Sequence, residues 1–449
     1  MKTAIKAAIS SLLAFIILSC ATAPNEYREV DTAAGQADFT SAVEAIRRGQ
    51  NRRRALYPER NAVQLFLDKG LLEFYAGNYE ASSADLQNAE RLIEEAYTKS
   101  ITEGFFTYIL NDNSRQYPGE DFENIYLNIF NALNYYNRGD LEGALVEIRK
   151  LSQTGGKLDM LARRYEYTDP STGASLQDSL QRETGISQLP DTKSVNFSNS
   201  ALARYLGALF YQAEGNLDSA RIEFNQVHRA FRTNSSIYRH NVPNAVEEAR
   251  NVTAQTARLN VICFTGLSPI KQEQLVMHYL PFRHPVLAIS AFKLPVLTRR
   301  PSLITKIEVI VQGEDGFYLE LLEDMGLVIE ETYNARFSSI LLKTYIRTII
   351  KYAVADIAAS EAARQGGELS GLLIALAART ALDASERADT RMSRFIPNRA
   401  YIGGINLDPG TYSVIINYYQ GDNILSFDSF PDVVVDSGRL NLLNAVNLR

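Results

Sequence analysis

The chain has no tryptophan, two cysteines, four histidines and no basic run longer than Arg52-Arg53-Arg54. Each scarcity removes a class of function. With Cys20 and Cys263 as the whole thiol inventory, a Cys-x-x-Cys zinc site is excluded. Lone Cys263, in the apolar run RLNVICFTG, reads as a packing residue. Formal net charge is −6, and loss of Lys2 and Lys6 with an N-terminal signal takes it to −8. A mildly acidic chain without a basic patch argues against nucleic acid as a partner. His-Glu-x-x-His, a phosphate-binding loop with its Lys-Ser/Thr and a Gly-x-Ser-x-Gly elbow are all missing. His278 and His284, six residues apart around prolines, are poorly spaced as metal ligands, so neither metal nor cofactor is expected. The acids of Gly119-Glu120-Asp121-Phe122-Glu123 could do acid–base work, but capping the apolar helix that follows is the more economical use.

Long apolar runs are also lacking after the first twenty residues. Lys2 and Lys6, the apolar stretch Ala7 to Leu18, and Ser19 before Cys20 have the parts of a secretory signal. Its apolar part is about a dozen residues, short of the roughly 20 that span a bilayer. Ile17-Leu18-Ser19-Cys20 resembles the bacterial lipoprotein signal, although Leu18 is bulkier than usual at its position. That resemblance implies cleavage before Cys20 and lipidation of Cys20, and hence a membrane contact through the lipid. The alternative is an ordinary signal peptide with a chance cysteine. Ala21 stands where Asp would mark inner-membrane retention, so the outer membrane is the expected location.

What remains, some 430 residues of a chain that is 46% hydrophobic, is enough for two or three cores. The 24 tyrosines and 20 phenylalanines supply the large anchors, many with a polar end to satisfy. Three stretches superimpose: GLLEFYAGNYEASSADLQNA (70–89), ALNYYNRGDLEGALVEIRKL (132–151) and ALFYQAEGNLDSARIEFNQV (208–227). Gly70, Ala132 and Ala208 each stand seven residues before Gly77, Gly139 and Gly215. Those glycines suit the left-handed end of a helix, and Asn78, Asp140 and Asn216 can cap the next one. The pattern resembles the tetratricopeptide repeat in Ala132, Tyr135, Gly139, Ala144 and again in Ala208, Tyr211, Gly215, Ala220; Glu73 and Ser82 depart from it in the first copy. Turn glycines 62 and 76 residues apart leave room for further helices between them. On an array of this kind the inner face is the binding face. Its candidates for contact with a partner are Phe74, Tyr136, Asn137, Tyr205 and Gln212, the aromatics being equally usable as core.

Beyond residue 262 prolines and alternating apolar residues predict strands, with Asp408-Pro409-Gly410 as a turn. A helical pair over about 319–388 interrupts them; its second member, apolar from Leu372 to Leu382, is too short to cross a membrane and is expected to pack on the first. The expected fold class is α+β: signal 1–19, tether 20–36, helical array 37–262 and a smaller antiparallel sheet domain 263–449 carrying the inserted pair. Strands near 304–311 and 411–418 are expected in one sheet. The whole chain, on YTKSITEGFFTYILNDNSRQYPGEDFE, GDLEGALVEIRKL, FTGLSPIKQEQ, LELLEDMGLVIEE and ADTRMSRFIPNRAYIGGINLDPGTYSV, resembles a family of uncharacterised bacterial lipoproteins. That resemblance implies no activity, cofactor or site residue. Together these readings point to a lipid-anchored scaffold that holds an envelope protein or peptide, and not to an enzyme. A hydrolase with its site in 263–449 is the alternative.

Overall fold

A computed structural model describes residues 27–102, 115–152, 156–158, 160, 197, 199–253, 256–279, 282–283 and 285–449. Cys20 and most of the interval between the second and third repeat stretches lie outside them. Helices fill the first half and strands the second, an α+β fold.

The first half holds α1 (Arg28–Gly35), α2 (Phe39–Gln50), α3 (Ala62–Tyr75), α4 (Tyr79–Thr102), α5 (Asp121–Asn137), α6 (Leu141–Ser152), α7 (Ala201–Glu214), α8 (Leu217–Thr233) and α9 (Asn244–Arg250). The three repeat stretches are the hairpins α3/α4, α5/α6 and α7/α8. Gly77, Gly139 and Gly215 end the first helix of each at φ of 78°, 80° and 83°, which a side chain would resist. Asn216 accepts from the Ser219 amide at 3.1 Å and Asp140 from the Gly143 amide at 2.8 Å. Asn78 departs from this pattern, turning its side chain back to Glu73 at 2.8 Å. The small residue of the first stretch is needed for close approach: a Cβ on Gly70 would stand 2.8 Å from Leu86 of the facing helix.

The second half contains β1 (Ala257–Leu267), β2 (Ile270–Tyr279), α10 (Pro285–Ala288), β3 (Ile289–Thr298), β4 (Lys306–Val311), β5 (Phe317–Tyr318), β6 (Glu320–Asp324), α11 (Met325–Gly366), α12 (Glu368–Ser385), β7 (Pro397–Leu407), β8 (Gly410–Gln420), β9 (Asn423–Val435) and β10 (Asn441–Asn447). One sheet runs β10-β1-β7-β6, a second β5-β4-β8-β9, and β2 and β3 pair antiparallel as a separate two-stranded sheet. β4 and β8 pair antiparallel with Ile310 opposite Ile415, so strands from both sides of the inserted helices do share a sheet. The β1–β10 pair, by contrast, is parallel.

Layer order follows from β1. Leu259, Val261 and Cys263 face Ile307, Val309, Val414 and Ile416 of the second sheet, while Ile262 and Phe264 join the core of the helical array. A strand covered on both faces reads as a continuous apolar run, and Val261 to Phe264 is one. The array's core extends without a break from Val30 to Leu448. The boundary expected at 262 therefore falls inside β1, and helices and first sheet form one body.

α11, 42 residues and roughly 63 Å long, leaves that body as an arm. Its first half carries β2 and β3 through Val276, Phe292 and Leu294 against Tyr333, Phe337 and Leu341. Its second half is paired with α12. From α12 the chain returns extended through residues 386–396 to β7, laid against the array.

Candidate functional site

The inner face of the array is occupied by this chain's own strands. Phe74 is buried edge-on against Phe130, 5.2 Å between ring centres, and Phe130 in turn meets Phe264 of β1 at 5.0 Å. The Tyr136 hydroxyl donates to the Leu440 carbonyl at 2.9 Å and accepts from the Leu442 amide at 3.0 Å. Asn137 accepts from Asn444 at 3.0 Å. Tyr205 is buried beside Phe224, and its hydroxyl has no hydrogen-bond partner among the described residues. Of the five residues expected to meet a partner, Phe74 and Tyr205 are core, and Tyr136 and Asn137 hold β10. The reason is geometric: a curved helical surface buries apolar area against whatever strand can reach it, and the nearest is in the same chain.

Gln212, half-buried like Tyr136 and Asn137, lines a cavity. It donates to the carbonyls of Ala249 and Arg250 at 3.1 and 3.4 Å, tying α9 to the end of α7. The cavity, of about 630 Å³, lies between α7, the Gly215 turn, the α9–β1 link and residues 438–440. Its walls are apolar through Leu209, Ala213, Leu217, Val252 and Leu440. Arg258, almost wholly buried at its floor, is fixed by Glu248 at 2.7 Å, Asn406 at 3.2 Å and Asn260 at 3.3 Å. Thr253 and Thr256 share a hydrogen bond of 2.9 Å on the same wall. A volume of this order, apolar with a few fixed polar groups, is typical of ligand and peptide sites.

Three carboxylates sit deep in the body, each surrounded by donors. Asp68 accepts from Tyr57 and Ser393 at 2.8 Å and from the Arg394 amide at 2.7 Å. Glu123 accepts from Tyr117 and the Glu120 amide at 2.7 Å, and from the Ser393 amide. Glu323 accepts from Tyr126, Ser200, Tyr238 and the Leu202 amide at 2.7–3.2 Å. Burial pushes Asp68 up to about 6 and Glu123 up to about 7, and raises Glu323 as well. Such values suit general acids, yet Glu123 and Glu323 are wholly shut off from solvent and no substrate atom reaches them. They join halves of the chain: Asp68 and Glu123 pin residues 393–394, and Glu323 ties β6 to α5 and α7. The first turn of α5 does use its acids as a cap, through Glu123 and the Glu120 amide. Glu120 also pairs with Lys271 and, at 2.9 Å, with Arg336.

Other reactive side chains do not converge. Cys263 is buried, its thiol donating to the Tyr418 hydroxyl at 3.7 Å, and burial raises its pKa far above the usual thiol range. His228 pairs with Glu247 at 2.6 Å on the outside of the array. His240 packs against Phe231, and burial lowers its pKa. The side chains of His278 and His284 lie outside the described residues. Among the described residues no group of three His, Cys, Asp or Glu side chains is placed to hold a metal ion. No described helix is long and apolar enough to cross a membrane.

Of the three buried acids sequence reasoning named Glu123, as a cap, and missed Asp68 and Glu323, although a signal exists for Asp68: it lies on the face of α3 that also carries Leu71 and Leu72, where an acid needs an internal partner. Comparison with protein-family models, curated proteins and solved structures finds no match to this chain.

Proposed function

We propose that this chain is a lipid-anchored protein of the bacterial cell envelope, held by an acylated Cys20 at the outer membrane, that works as a protein-binding scaffold for assembly or regulation. The observation that carries the binding reading is the cavity beside Gln212. It is where the inner face of the helical array continues past the strand that fills the rest of it. An extended segment of an envelope protein fits its apolar walls, with Thr253, Thr256 and Asn260 as hydrogen-bonding groups for a main chain.

A photo-crosslinking residue at position 213, introduced in intact cells, tests this. A discrete adduct with an envelope protein is expected there and not at position 222, which is exposed on α8 away from the cavity. Filling the cavity from another wall with Thr253→Trp, the crosslinker kept at 213, should abolish the adduct while leaving thermal unfolding unchanged, since Thr253 is exposed. If the filled variant keeps capture and cellular function, and single acid or histidine changes in 263–449 abolish function at normal protein level, the hydrolase reading replaces the scaffold.

A further inference from the structure

The outer half of the arm is built with too little between its helices and too much outside them. α12 meets α11 through small residues. A Cβ on Gly371 would stand 2.6 Å from that of Ala363 and 2.9 Å from the Ala359 carbonyl oxygen. Ala375 is buried against the same seam with Ala355 and Ala359. The larger side chains point the other way: Leu369 is 68% exposed, Leu373 58% and Ile357 of α11 69%, with Leu372, Ile374 and Leu376 also exposed. From Leu369 to Ala378 α12 carries no charge at all. A helix apolar on every side belongs inside a core. These six side chains leave apolar surface on the order of 600 Å² in contact with water, the top of the range for a monomer.

We infer that two copies of this chain pair through their arms, each α11–α12 hairpin covering the other's exposed leucines to make a four-helix bundle. Neither the cavity nor its occupant enters this inference. A standard interface takes about 800 Å² from each partner, close to what the outer arm offers once its flanks are included. Homodimer contacts are the more apolar class, and the uncharged stretch of α12 suits that class. Its flanking charges do not oppose this pairing: Glu368 and Arg379 are three turns apart on the side of Ala375, and Arg379 donates to the Val286 carbonyl at 2.8 Å and lies 3.7 Å from Asp383. A lipid surface fits less well, because interfacial helices carry a lysine- and arginine-rich face opposite one apolar face. α12 has one basic residue and exposes apolar side chains all round.

The experiment uses full-length chain in intact cells, with Ile374→Cys and mild oxidation. Cys263 is buried and Cys20, on the function proposed above, carries the lipid, so the introduced thiol is the reactive one. A disulfide-linked species of twice the chain mass is expected from Ile374→Cys and none from Ile222→Cys. Adding Leu373→Glu and Leu376→Glu should cut the linked fraction about tenfold or more. Both sites are exposed, so unfolding temperature should hold; Leu373→Ser with Leu376→Ser is the milder pair if it does not. An adduct with a different protein overturns the inference. So does a thiol at 374 that alkylates freely with a membrane-impermeant maleimide, or one shielded by lipid, in either case without a dimer.

Discussion

The hydroxyl of Tyr136 stands where the next strand of a sheet would stand for Leu442. It accepts the Leu442 amide at 3.0 Å and returns a hydrogen bond to the Leu440 carbonyl at 2.9 Å. β10 is the edge of its sheet, and an open edge invites pairing with another chain. The end of α5 closes it, with Asn137 and Asn444 forming the next rung. The array's inner face does grip an extended strand, and the strand is its own.

Tyr136→Phe keeps the ring, stacked 5.7 Å from Phe210, and removes only the rung. Two backbone groups lose their partner, at a cost of about 1–3 kcal/mol. Urea unfolding should show that loss without a change in the slope of the transition. An unaltered midpoint would mean that water replaces the hydroxyl.

Stability should fall as pH rises through the range set by Asp68 and Glu123. Burial lifts them from 3.8 and 4.5 to about 6 and about 7. Between about pH 4 and 7 the folded chain holds protons that the unfolded chain has released. Their contribution is therefore full below pH 4 and is lost as pH passes the folded values, on the order of 3 kcal/mol for each group. Urea titrations of Asp68→Asn with Glu123→Gln should decline less between pH 4.5 and 7.5 than those of the natural chain. Equal declines would remove both acids as the source.

Gly139→Val places a β-branched residue at φ of 80° with nothing crowding the side chain. The cost is therefore one of backbone strain, about 1–3 kcal/mol. Asn tolerates this region, so Gly139→Asn should lose well under half as much in a thermal melt.

Cys20→Ala should abolish incorporation of labelled palmitate and move the protein to the soluble envelope fraction or leave it unprocessed. Persistent labelling of that variant would sink the lipoprotein reading.

The hairpins were legible because their signal is local: a glycine at a helix end and an apolar face three to four residues apart. The β4–β8 pairing was legible because alternating runs flank a helical insert. What escaped depends on partners hundreds of residues away. Nothing near Ser393 announces that its amide and hydroxyl meet Glu123 and Asp68, and nothing near Tyr136 announces β10. The apolar run of α12 was visible, and α12 does pack on α11 as expected. The sequence did not show that it packs through Gly371 and Ala375, which leaves the leucines outside the seam.

Residues 389–396 and β10 are synthesised after every helix of the array they complete. Ser393 is 325 residues from Asp68, Glu323 is 197 from Tyr126 and Leu442 is 306 from Tyr136. Folding that waits on such distant contacts is slow. In that interval Phe130 is without Phe264 until β1 is made, and Tyr136 and Asn137 are without their strand until β10 is made. The array therefore closes its inner face only with the last strand, and a chain cut short before β10 would leave the Tyr136 hydroxyl and the Asn137 side chain without their strand partners.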